Sequence, residues 1–267
     1  MAQIDHDLLA KELIAAAHLA GARILSHYGR AEVELKGDNS PVTVADREAD
    51  VILVETLRRI APDIPVISEE SSPSEQVAID ERFFLVDPLD GTKEFIHGRD
   101  EFTVNVALIE DQSPRFGIVY APALSRAYMT LPSGQAARVQ LDASAQMPNF
   151  SDLEFTPITT RTAEQGDLVA AVSRSHLDEK TEVFLAQRGI SKTNASGSSL
   201  KFCSVGEGLA DVYPRFGRTM EWDTAAGHAV LTAAGGTVLD ETGRPLTYGK
   251  QDDNYANPGF IAWGRAP

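Results

Sequence analysis

Cysteine is almost missing from this chain: Cys203 is the single one in 267 residues. An intrachain disulfide is therefore excluded, and the composition fits a reducing compartment. Cys203 falls in an apolar-periodic segment and reads as inert core. Long hydrophobic runs are missing too, since none approaches the roughly 20 residues a membrane-spanning helix needs. Basic residues are in short supply, 24 Lys and Arg against 39 Asp and Glu, for a net charge of −15. Polymeric nucleic acid, whose phosphates need clustered cations, is excluded as a partner. A small phosphorylated molecule is not, because bound metal ions can reverse a local field. The opening Met-Ala-Gln-Ile-Asp-His-Asp lacks both the basic and the apolar region of a secretory signal. A cytoplasmic location is expected, with peripheral attachment to the inner membrane as the alternative.

What is present supports a substantial core: 43% of residues are hydrophobic and 24% charged, ordinary for a globular protein. The length suits one large or two closely packed domains. Apolar spacing predicts a helix over 5–28 with Asp5 as N-cap, and a second over 44–60. A turn-rich stretch at 36–41 separates them. A short strand at 66–67 leads into Ser68-Glu69-Glu70, followed by a polar loop at 71–80. Strands at 83–86, 102–109, 116–120, 127–131 and 136–141 have short connections and predict an antiparallel meander. The stretch 142–166, rich in Pro, Ser, Thr and Asp, is the candidate boundary between a unit at 1–145 and one at 146–267. Beyond it strands (168–172, 190–193, 210–213, 237–239, 260–263) alternate with helices (178–188, 198–209, 224–234), the rhythm of an α/β half.

The chemistry concentrates at Asp87-Pro88-Leu89-Asp90-Gly91-Thr92. Pro88 cannot donate to a ladder and Gly91 tolerates positive φ, so the strand at 83–86 is expected to end in a tight turn at the two carboxylates. Such a pair repels and resists ionisation unless a hard divalent cation sits between, and an all-oxygen site suits Mg2+. Acidic residues recur at other element boundaries: Asp46 in a first helical turn, Glu69 and Glu70 after a strand, Asp223 before the helix at 224–234. Each has a bland alternative. The turn could be solvated surface, Asp46 completes a capping box with Thr43, Asp223 could cap its helix, and Glu69 or Glu70 could face solvent.

Together these stretches resemble the inositol monophosphatase superfamily of Mg2+-dependent, lithium-sensitive phosphomonoesterases. The matching segments are Ser68-Glu69-Glu70-Ser71, Asp87-Pro88-Leu89-Asp90-Gly91-Thr92 and Glu221-Trp222-Asp223-Thr224-Ala225-Ala226-Gly227, in order and spacing. The likeness runs from Asn39-Ser40-Pro41-Val42-Thr43 to Ala234-Gly235-Gly236. Within it, Gly91-Thr92-Lys93-Glu94-Phe95, Gly197-Ser198-Ser199-Leu200-Lys201-Phe202-Cys203 and Tyr213-Pro214-Arg215-Phe216-Gly217 resemble the 3'(2'),5'-bisphosphate nucleotidases, which remove the 3'-phosphate of adenosine 3',5'-bisphosphate and are linked to sulfate assimilation.

The resemblance implies an α+β fold, a layered αβαβα sandwich with an antiparallel sheet in the first half and a mixed α/β second half. It implies that Glu69, Asp87 and the Leu89 carbonyl hold one Mg2+, and that Asp87, Asp90 and Asp223 hold a second; a third, looser ion near Glu69 is left open. The Gly91 and Thr92 amides meet the substrate phosphate. Asp46, Thr92 and Glu69 are the catalytic set, with Thr92 and Asp46 orienting or deprotonating the attacking water. The same set of Glu69, Leu89, Asp90, Gly91, Thr92 and Asp223, with Gly197, Ser198, Ser199 and Lys201, is expected to bind substrate. Lys93, Lys201 and Arg215 are candidates for the second phosphate, or ordinary surface cations; Ser198 and Ser199 could instead cap a helix. Trp222 reads as core beside the metals, and His97 and His228 match no family role. Met220-Glu221 departs from the motif where relatives vary. A monomer or a homodimer is expected. The rival readings are another phosphomonoesterase of the superfamily, acting on inositol monophosphate or a sugar bisphosphate, and a non-catalytic metal- or phosphate-binding regulator.

Overall fold

The computed structural model describes residues 4–30, 33–35, 41–70, 81–163, 166–174 and 178–265. The expected turn at 36–40 and polar loop at 71–80 lie outside them. In chain order the first half holds α1 (His6–His27), β1 (Val33–Leu35), β2 (Pro41–Thr43), α2 (Val44–Ile60), β3 (Val66–Ser68), β4 (Arg82–Asp90), α3 (Thr92–Ile96), β5 (Thr103–Glu110), β6 (Ser113–Ala121), β7 (Arg126–Thr130) and β8 (Ala136–Gln140). There follow β9 (Thr156–Pro157), β10 (Val169–Ser173), α4 (Glu179–Gln187), β11 (Lys192–Ser196), α5 (Leu200–Gly206), β12 (Val212–Arg215), β13 (Thr219–Met220), α6 (Glu221–Ala233), β14 (Thr237–Asp240), β15 (Ala256–Asn257) and β16 (Phe260–Trp263).

Two sheets organise these elements. Strands β3 to β9 form a seven-stranded sheet in sequence order, antiparallel except for the parallel β3–β4 pair. A five-stranded mixed sheet follows the order β11-β10-β12-β16-β14. The first sheet is buried on both faces, so its strands read as near-continuous apolar runs. Successive side chains still divide between the faces. Phe84 and Val86 of β4 pack with Val104, Ile118 and Tyr120 against α1 and α2. Phe83 and Leu85 pack with Ala107 and Val119 against α5, α6 and the second sheet. Beyond that sheet Val172 and Val212 pack on Phe184 and Leu185 of α4. The layers are thus α1/α2, sheet, α5/α6, sheet, α4: the expected αβαβα sandwich. The strand pair β8–β9 carries the first sheet to Pro157, past the 145/146 division anticipated from composition.

Local signals explain the ends of elements. Asp5 accepts the Asp7 and Leu8 N–H groups at the start of α1, and Thr43 with Asp46 forms the predicted capping box of α2. Strand β4 does not stop at Asp87. Its ladder with β5 breaks between Asp87 and Asp90 and resumes at Asp90↔Thr103. The physical reason is that Pro88 has no donor, and the Leu89 N–H turns onto Asp87 Oδ1 (3.0 Å), so the backbone bulges instead of leaving the sheet. Helix α6 starts at Glu221, earlier than expected, and Asp223 lies within its first turn. Gly117 of β6 lets α6 lie directly on the sheet: a Cβ there would stand 2.5 Å from the Ala226 carbonyl oxygen. Among the described residues no helix is long and apolar enough to cross a membrane.

Candidate active site

The acidic cluster follows from strand register and parity. In the parallel pair, Ile67 lies opposite Leu85 and Ser68 opposite Val86, and the Glu69 N–H continues the ladder to the Val86 carbonyl (3.1 Å). Glu69 therefore sits beside Asp87. Both have the parity of Ile67, Phe83 and Leu85, which face α6. Asp223 arrives from the other side of that layer, in the first turn of α6, where its Oδ2 accepts the Met220 N–H (2.8 Å). One carboxylate oxygen each of Glu69, Asp87 and Asp223 lies within 4.8 Å of the others.

Crowding and burial act on these groups in the same direction. Burial first, then the charges of Glu69, Asp90 and Asp223, push the Asp87 carboxyl well above the usual carboxylate range. Asp223 is raised likewise by burial and by Asp90. An uncompensated cluster of this kind is costly. Its donors are all hard carboxylate oxygens, so the residues present fit Mg2+.

Asp90 stands just outside the three-oxygen cluster, and a turn from the second half clasps it. Its Oδ2 accepts the Ser199 N–H (2.9 Å) and the Ser198 hydroxyl. Burial raises its pKa, with the Ser198 hydrogen bond and Lys201 opposing. Ser198 holds positive φ (52°), and Ser199 Oγ donates to the Asp223 carbonyl (2.7 Å). Neither serine side chain caps α5, which begins at Leu200. The capping alternative is thereby set aside: both serines bond to Asp90 or Asp223 instead.

On the opposite flank Thr92 opens α3 after Gly91 (φ 93°). The Thr92 hydroxyl lies 3.2 Å from both Asp46 Oδ1 and the Leu89 carbonyl. The other Asp46 oxygen accepts the Thr43 N–H (2.8 Å) and hydroxyl (2.6 Å). Burial raises the Asp46 pKa, partly offset by those bonds. Asp46 thus keeps its capping role and also reaches Thr92.

A cavity of about 150 Å3 adjoins Asp90 and Asp223. Lys201, Arg215, Arg218 and Arg174 line it, with Glu94 opposite them in sign. Lys201 is buried, and burial lowers its pKa to about 8 against the pull of Asp90. Its ammonium donates to the Ser198 carbonyl (2.7 Å). Among the described residues the buried Arg215 Nε–H has no acceptor. Lys93 is exposed on α3 and is not part of the lining. His228 is buried against the Tyr248 hydroxyl (3.0 Å), with its pKa lowered to about 3 by burial, and His97 only caps α3. Cys203 and Trp222 are core, as expected. Sequence reasoning missed Thr103 and Asn105 of β5, both buried, which back Ser198 and Asp90. Their signal was two polar residues at alternate positions of an otherwise apolar strand.

A five-layer sandwich with a carboxylate cluster between its sheets is the arrangement of a metal-dependent phosphomonoesterase. Residues 5–264 match the inositol monophosphatase family, and the chain belongs to that family. It is 45% identical over 248 residues to the 3'(2'),5'-bisphosphate nucleotidase CysQ of Escherichia coli O157:H7, covering 91% of this chain and 95% of the relative. It is 44% identical to the protein of that name from Salmonella typhimurium, over 94% and 98% of the two chains. The crystal structure of CysQ from Bacteroides thetaiotaomicron superposes with a TM-score of 0.79 at 37% identity, over 97% of each chain. Enzymes of this family depend on Mg2+ in general.

Proposed function

We propose that this chain is a Mg2+-dependent 3'(2'),5'-bisphosphate nucleotidase that hydrolyses adenosine 3',5'-bisphosphate to AMP and phosphate. The observation that carries the reading is the meeting of Glu69, Asp87 and Asp223 within 4.8 Å. The cationic pocket beside Asp90 and Asp223 and the likeness to relatives named for this activity favour a substrate with a second phosphate. Glu69, Asp87 and the Leu89 carbonyl would hold one Mg2+, and Asp87, Asp90 and Asp223 another. Bound there, the ions supply charge neutralisation and a water of lowered pKa.

The chain's own groups do the rest. Thr92 Oγ1 accepts a proton from the attacking water as its own proton passes to Asp46 Oδ1, a transfer along the observed hydrogen bond. Glu69 helps to orient that water. The Gly91 and Thr92 amides receive the scissile phosphate, whose transfer is chiefly a matter of positioning. Ser198 and Ser199 fix Asp90, Gly197 and Ser198 wall the nucleoside side, and Lys201, Arg215 and Arg218 face the retained phosphate.

Phosphate release from adenosine 3',5'-bisphosphate and from inositol 1-phosphate, compared at equal Mg2+, tests the assignment. Faster turnover of the nucleotide is expected. Faster turnover of the inositol ester makes the protein a monophosphatase instead, and release from neither favours a binding protein on the same scaffold.

A further inference from the structure

Glu221 has no part in the chemistry above, yet its carboxylate is 0% exposed. It opens α6 two residues before Asp223. Its Oε1 and Oε2 accept the Gly249 N–H (2.9 and 2.8 Å), and Oε1 also accepts the Lys250 N–H (2.9 Å). The Lys250 ammonium pairs with Oε1 at 2.7 Å. Its own N–H donates to the Tyr255 carbonyl (2.8 Å). The turn preceding it is tied down as well, because Asn257 Nδ2 donates to the Met220 carbonyl (2.8 Å) and to Thr224 Oγ1 (3.0 Å).

These contacts converge on one short piece of backbone, residues 220–224. Among the described residues the Asp223 carboxylate accepts from a single donor, Met220 N–H, so its direction depends on how that first turn is seated. We propose that Glu221, with Lys250, is a positioning residue for the metal site: it locks the first turn of α6 onto the 248–255 loop so that Asp223 points at Glu69 and Asp87. A carboxylate with its lone pairs filled by two amides and an ammonium is a rigid anchor. Anchors behind metal ligands characteristically change affinity more than fold. The inference rests on the metal-site part of the proposed function and not on its substrate.

Calorimetric titration of Mg2+ into the protein without substrate tests it, with thermal unfolding of the same samples. Glu221→Gln keeps an acceptor for the amides and loses the ion pair; it is expected to raise the Mg2+ Kd about tenfold. Arg161→Gln, which breaks a comparable ion pair with buried Asp211 (2.6 Å) away from the cluster, is expected to lower the unfolding temperature but leave the Kd within about twofold of the parent. An unchanged Kd in Glu221→Gln overturns the inference and leaves the pair a purely structural one. Should Glu221→Gln fail to fold, Lys250→Gln keeps both backbone donors to Glu221; a weakened Kd there supports the inference, and a parental Kd overturns it. A parent protein that binds Mg2+ but spares the bisphosphate nucleotide overturns the substrate reading alone.

Discussion

Thr92 has one hydroxyl hydrogen and two acceptors, Asp46 Oδ1 and the Leu89 carbonyl, each at 3.2 Å. Only one can be satisfied at a time, so the hydroxyl is poised to exchange its partner as a proton arrives. Thr92→Val keeps the shape and removes that hydrogen. It should lower kcat by about 100-fold or more while costing stability only about 1–2 kcal/mol, read from steady-state kinetics and urea unfolding. A rate within a few-fold of the parent would take Thr92 and Asp46 out of the proton path. Much of this site was legible in the sequence, because acidic residues at the ends of elements are conspicuous. That placement marks Asp46, Glu69, Asp87 and Asp223 as candidates, each with a bland alternative, and the family resemblance is what joins them into one site. The helix cap offered as the alternative for Ser198 and Ser199 does not form; a serine before a helix looks the same whether it caps that helix or turns back to a distant carboxylate. Thr103 and Asn105 were passed over because spacing along one strand does not say which surface of a later strand or turn it will face.

Elements carry the acids to one another, and small residues set how close they come. Helix α6 lies across β4, β5 and β6, and at Gly117 the approach leaves no room for a methyl group, with Ala229 Cβ 2.8 Å from the Cβ position. Gly117→Ala must lift the helix that bears Asp223. A cost of about 1–3 kcal/mol is expected, together with weaker Mg2+ affinity, measured as a raised half-saturating Mg2+ concentration for the rate. Loss of stability with unchanged half-saturation would mean that α6 moves without disturbing the cluster. The pattern of apolar residues was enough to locate both long helices of the first layer, because capping chemistry at Asp5 and Thr43 marks their starts. It placed α6 three residues late, since Met220 is extended (φ −98°, ψ 163°) and donates to Asp223, a contact with no signature in composition. It also ended β4 too soon, reading Pro88 as a stop where the chain makes a bulge.

The whole molecule is held by contacts that span its layers, and the two halves meet around the pocket. Glu101 of the first half accepts from Arg174 (2.7 Å) and from the Gly197 N–H (3.0 Å) of the second. Deeper in the second half, buried Asp211 accepts from Arg161 (2.8 and 2.6 Å) and from the Val169 N–H (2.7 Å). Burial alone would raise its pKa, but Arg161 and that amide outweigh burial and lower it. A depressed folded pKa stabilises above the unfolded carboxylate value of about 4 and ceases to do so as pH falls through the folded value. Asp211→Asn should therefore destabilise by about 1–3 kcal/mol at pH 7, discounted for the half-exposed arginine. The gap between parent and variant in denaturant unfolding should narrow below pH ~4; a gap independent of pH would remove the charge from the account. The layer order was readable from alternating strands and helices, whereas the pairing of β10 with β12 and the antiparallel insertion of β16 were not, because long-range strand order leaves no local trace. Carboxylates from three distant segments, Asp87 buried and Glu69 and Asp223 partly so, are arranged to hold a divalent cation. Thermal unfolding of the parent and of Asp87→Asn, each with and without Mg2+, tests it most directly. Mg2+ should raise the parent's midpoint by mass action and leave the variant's unchanged, and without Mg2+ the variant should melt at or above the parent, its buried repulsion relieved. An equal Mg2+-induced rise in both proteins would contradict it.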